Sequence, residues 1–89
     1  GPRTPLSASQ EAQVDLLMAL VRLSAADNDL NPTVLATRKQ LEQLVLGVED
    51  CTVMQGWRRS LVGEHLADLL AGKVTLGIQN GQVAVEQPA

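Results

Sequence analysis

The run QEAQVDLLMALVRLSAAD, residues 10–27, carries more apolar side chains than a surface helix can use. Spaced at about 100° per residue, Val14, Leu17, Met18, Val21 and Ala25 fall on one face, and Leu16, Leu20 and Leu23 form a second stripe nearly opposite. A helix on the outside of a domain needs one stripe. This one is therefore either central to a bundle or docked, through Leu16, Leu20 and Leu23, on something outside the chain. Phe and Tyr are absent, so the core must be leucine and valine packed around the single Trp57.

Start and stop signals divide the rest. Ser7 with Gln10 three residues on is a capping box, predicting a first helix over about 8–26. DNDLNP breaks it, and Asn31 before Pro32 opens a second helical region over about 32–46, with Val34, Leu41, Leu44, Val45 and Val48 aligned. Thr37 and Gln40 form another capping box, which fits a short turn before a separate helix from Arg38. Gly47 is a natural stop, and VEDCT reads as a loop.

QGWRRSLVGEHLADLLAG, residues 55–72, gives a third helix over about 55–71 that ends at Gly72. Val62, Leu66, Leu69 and Leu70 share a face there, with Trp57, Leu61 and His65 rising beside it at i, i+4. The expected core is Trp57, Leu61, Leu66, Leu69, Leu41, Leu44, Leu17 and Val21, with His65 as a structural residue on the apolar margin. Asn80-Gly81 between two short apolar runs predicts a hairpin pairing 74–78 with 83–86. Its alternation puts Val74, Leu76, Ile78, Val83 and Val85 on one face, expected to rest on apolar surface. The expectation is an all-α fold: a small helical bundle over 8–73 with a C-terminal β-hairpin over 74–86, flanked by a linker at 1–7 and a tail at 87–89.

Several function classes are poorly served by these residues. One His and one Cys do not make a zinc site, and a lone Cys51, compatible with a reducing cytoplasm, has no intrachain disulfide partner. Asp27, Asp29 and Asn31 imitate the start of a calcium loop, but Pro32 stands in place of the required glycine and Arg38 in place of the closing glutamate. Ser60 and His65 point about 140° apart on a helix, out of reach for a nucleophile and its base. Gly72, Gly77 and Gly81 are not followed by the Lys-Ser/Thr pair of a phosphate loop. No apolar run approaches the roughly 18 residues of a membrane span. The expected class is a non-catalytic, monomeric module with no metal or cofactor of its own.

A net charge of -3 does not suggest a dedicated nucleic-acid binder. Yet four of the seven basic residues form two pairs, Arg38-Lys39 and Arg58-Arg59. Where the starts of the second and third helices meet, the pairs can merge into a phosphate-contacting patch; otherwise they are solvated or ion-paired. Arg58 falls inside the apolar arc, in reach of a carboxylate such as Glu42 or Asp68. Trp57 has two readings as well, core packing or stacking on a base.

LNPTVLATRKQLEQLV, then a loop, then VMQGWRRSLVGEHLADLLAG resembles the C-terminal end of the bacterial ribonuclease D family. The residues that carry the resemblance are Leu35, Ala36, Thr37, Arg38 and Lys39, then Gly56, Trp57 and Arg58; Val34 stands where the family motif has a second leucine. The likeness spans about residues 10–73. It implies a module of the helicase-and-RNase-D C-terminal (HRDC) type following a 3′-to-5′ exonuclease domain whose divalent metals trim structured RNA such as tRNA precursors, in the cytoplasm. The module's implied part is to help hold that RNA, with the exonuclease domain and a second HRDC module as neighbours. A docking module without direct RNA contact is the alternative.

Overall fold

Ser7 opens the first helix as its capping box predicts: its Oγ accepts from the Gln10 N–H at 3.1 Å, and Gln10 Oε1 accepts from the Ser7 N–H at 3.0 Å. The computed structural model describes residues 6–48 and 51–87. Residues 1–5 of the expected linker at 1–7, loop residues 49–50, and residues 88–89 of the expected tail at 87–89 lie outside that range. Helix α1 runs Ala8–Asp27. Asn31 then caps α2, Pro32–Leu35, its Oδ1 accepting from the Thr33 N–H at 3.1 Å.

The second helical region is split, as Thr37 and Gln40 allow. Ala36 and Thr37 are extended, and Thr37 caps α3, Arg38–Val45, in a reciprocal box with Gln40. The break changes the phase between the two pieces. Leu35 and Ala36 therefore enter the core, whereas Val34, expected to align with Leu41, is 43% exposed. Val48 lies beyond the end of α3 and is exposed too.

The core is built on α1, which contributes Val14, Leu17, Leu20, Val21 and Ala25; Leu35, Ala36 and Leu41 meet them from α2 and α3, and Val53, Val62 and Leu66 from the C-terminal half. Leu61, Leu44 and Leu69 pack partly buried against this cluster. Burying a leucine or valine in full stabilises by about 1.5–3 kcal/mol, so the leucines and valines of this cluster hold the domain together. The second stripe of α1 does not survive as one surface. Leu20 is buried, Leu16 is half exposed and Leu23 is intermediate.

The third helical run is broken in a way the sequence does not reveal. After a 3-10 turn, Thr52–Met54, it comprises α4 (Gly56–Arg58), a π-helical turn (Arg59–Gly63) and α5 (Glu64–Leu70). The Glu64 N–H donates to the Arg59 carbonyl, the i→i−5 bond of the wider turn. Gly63 shows what the wide turn packs against: a Cβ there would collide with the Val53 backbone carbonyl and touch Met54 Sδ. Only a residue without a side chain lets the two turns approach this closely.

Two core expectations fail here. Trp57 is 52% exposed, and His65 is exposed rather than lodged at an apolar margin. The buried stripe of this run is Val62, Gly63 and Leu66. Trp57 stands five residues before Val62, about 140° round an ideal helix, in a first turn that contributes no buried residue. Its size suggests a core residue; its phase does not.

The hairpin forms with the expected turn, β1 (Thr75–Gln79) pairing antiparallel with β2 (Gln82–Glu86). Asn80 and Gly81 both take left-handed conformations, φ 54° and 78°, as a two-residue hairpin turn requires. Leu76 faces Val85 and Ile78 faces Val83, so the expected apolar face exists. Its cover is incomplete: Leu76 packs on the core, but Ile78 is 78% exposed and Val83 and Val85 nearly half. Val74 precedes the paired residues.

Candidate nucleic-acid interface

The short helix α2 stands between the two basic groups. Its N-terminal end helps line a surface cleft of about 380 Å³, bounded by Met18 and Arg22 from α1, Asn31 and Thr33, and Thr37 and Arg38 at the start of α3. Its C-terminal end receives Arg58, whose Nε donates to the Val34 carbonyl at 3.1 Å. The expected partner of Arg58 was a carboxylate, Glu42 or Asp68; the structure supplies a backbone carbonyl instead. Arg38 lies four residues after Val34, so the chain allows at most about 14 Å between them. Gly56, Trp57 and Arg58 are thereby drawn to the same part of the fold as the Arg38-Lys39 pair.

Each basic residue has its own surroundings. Arg38 Nη1 meets Asp15 Oδ1 at 2.9 Å and its Nε stands 3.6 Å from Glu42 Oε2. Arg59 Nε lies 3.9 Å from Glu64 Oε1, with both side chains about 60% exposed. Lys39 is exposed, with no carboxylate at ion-pair distance among the described residues. The exposed pairs with Asp15 and Glu64 stabilise by about 0–1 kcal/mol each, whereas the Glu42 side chain is only 15% exposed. The backbone bond of Arg58 holds its guanidinium with the carbon 4.4 Å from the centre of the Trp57 ring.

Arg22 is a cleft residue that sequence reasoning missed. It is an isolated cation within an apolar helix, and only the packing of α1 beside α2 and α3 brings it to the cleft that Arg38 lines. The proposed core residues Leu61, Leu66 and Leu69 contribute nothing to this surface. Leu66 is fully buried, and Leu61 and Leu69 are partly buried against the core. Among the described residues, no group of three or more His, Cys, Asp or Glu is placed to hold a metal ion, and no helix is long and apolar enough to cross a membrane.

A second surface has a different chemistry. Between α1 and the hairpin run two adjoining hollows of about 190 and 300 Å³, both bordered by Ala19 and Val83. Leu16 and Ile78 line one, Leu23 and Arg22 the other. Two of the three residues of the proposed docking stripe, Leu16 and Leu23, therefore border an apolar groove; Leu20 does not.

Sequence comparison places this architecture among known proteins. The chain is 32% identical over 85 residues, 93% of its length, to ribonuclease D of Bartonella henselae. It is 33% identical over 81% of its length to ribonuclease D of Gluconacetobacter diazotrophicus, and 34% over 81% to that of Nitrobacter hamburgensis. The matched region is the C-terminal part of these proteins, and the chain spans only about a fifth of their length, 21%, 19% and 19%. No protein-family profile matches the chain, and no solved structure does.

Proposed function

Since this chain is a homologue of the C-terminal part of ribonuclease D, we propose that it is a non-catalytic HRDC-type accessory module that helps a 3′-to-5′ exoribonuclease hold structured RNA such as a tRNA precursor. The observation that carries this reading is the junction at α2, where Arg58 is tied to Val34 beside the cleft lined by Arg22 and Arg38. Arg38, Lys39, Arg58 and Arg59 contact phosphates there through charge-assisted bonds, for which Arg38 and Arg59 exchange their exposed pairs with Asp15 and Glu64. On this reading the divalent metals and the carboxylates that hold them lie elsewhere in the parent chain, a cytoplasmic enzyme. The donor set of the described residues offers such metals no seat.

Phosphate contact predicts binding that weakens with salt, because condensed counterions are released. Changing both Arg38 and Lys39 to Ala should reduce affinity for a tRNA-like ligand and lower the salt slope by about one to two units. Helix content should hold, since both residues are exposed. Amides at 38–39 and 58–59 that do not move in such a titration would refute the reading.

The apolar groove favours a second role. Leu16, Leu23, Ile78 and Val83 suit docking on the remainder of the parent chain, the exonuclease domain or another HRDC module. The two roles are compatible: the groove lies between α1 and the hairpin and the basic cluster around α2, and they adjoin at Arg22.

A further inference from the structure

Trp57 is the largest side chain in the protein, yet it sits half exposed in a turn that buries nothing. Its neighbour explains how it is held there. The Arg58 guanidinium carbon lies 4.4 Å from the ring centre, and Arg58 is itself fixed by the Val34 carbonyl. An indole with a cation against one face is a platform, since the same ring offers π surface to a second flat group. Among the described residues, the only hydrogen bond of the Arg58 guanidinium is through Nε, which leaves its terminal nitrogens as donors beside the ring.

We propose that Trp57 stacks on a nucleobase of single-stranded RNA, with Arg58 bonding the phosphate of the same strand. This deepens, and rests on, the phosphate-contact reading above. An unpaired base is the flat ligand that brings an anionic backbone with it, which matches an aromatic plane held by arginine and flanked by Arg59 and the Arg22–Arg38 cleft. A duplex hides its base faces in its own stack, so this site takes a single-stranded end or loop. The apolar groove bordered by Ala19 and Val83 meets the cleft at Arg22 and plays no part in the stack.

Trp57 is the only aromatic residue in the chain, so its fluorescence reports this site alone. The test titrates the 89-residue chain, at low salt, with a short oligoadenylate and with an abasic ribose-phosphate oligomer of equal length. The expected result is saturable quenching by oligoadenylate and none by the abasic oligomer. Read by fluorescence anisotropy of end-labelled oligomers, since the variant has no tryptophan, Trp57→Leu should then weaken oligoadenylate binding roughly tenfold, the scale of one base–aromatic stack, leave abasic binding unchanged, and keep native helix content. Trp57→Phe should fall between the two.

Equal affinity of native and Trp57→Leu chains for oligoadenylate would overturn the stack while leaving the phosphate contacts standing. No salt-dependent binding of either oligomer would overturn both. An emission that shifts to the blue as protein concentration rises without RNA would make Trp57 a contact between copies of this chain, and would equally overturn the proposal.

Discussion

Val14, Leu17, Val21 and Ala25 along α1 keep 1% or less of their surface, whereas Ile78, Val83 and Val85 in the hairpin keep 78%, 42% and 44%. Both sets are regular: one repeats at the helical period, the other at the period of a strand. The difference lies in what stands opposite. The α1 face meets side chains from α2, α3 and the last helical run, enough to close it on every side. The hairpin has two strands and one residue, Leu76, on the core, and two strands alone cannot enclose their own apolar face. Periodicity states which residues share a face; the number of neighbouring elements decides whether the face is covered.

The largest effect should come from the covered side. Leu17→Ala removes a fully buried side chain that close-packed neighbours cannot replace, and should cost about 3–5 kcal/mol in denaturant unfolding. Gly63→Ala comes next, at about 2–3 kcal/mol, because its methyl group meets the rigid Val53 carbonyl rather than a movable side chain. If Gly63→Ala were neutral, the π-turn and the 3-10 turn would not touch in solution.

Much of this fold is legible in the residues. Ser7, Asn31 and Thr37 each cap a helix where their side-chain chemistry indicates, and Asn80-Gly81 sets the hairpin register. The π-turn escapes sequence reading because its cause is a tertiary contact, the approach of Gly63 to Val53. Size and the i, i+4 spacing with Leu61 predict Trp57 inside, but the buried residues of this run are Val62, Gly63 and Leu66, and Trp57 lies about 140° from Val62. At the candidate site the basic pairs are visible in the sequence, but Arg22 and the Val34 carbonyl enter only through the packing of α2.

The exposed side should yield small effects. Trp57→Ala should cost less than about 1 kcal/mol, the scale of an exposed cation–π contact, rather than the several kcal/mol of a core aromatic. Ile78→Ala should change stability by no more than about 0.5 kcal/mol. A loss above 1 kcal/mol for Ile78→Ala would show that the hairpin face is covered in solution and would remove the contrast with α1.

Trp57 stands outside the core, half exposed to solvent. Acrylamide quenching of its emission, in native buffer and in denaturant, measures this directly. The prediction is a red-shifted native emission, quenched nearly as efficiently as in the unfolded chain. A blue-shifted native emission that acrylamide barely quenches in a dilute monomer would put Trp57 inside the fold and contradict the account.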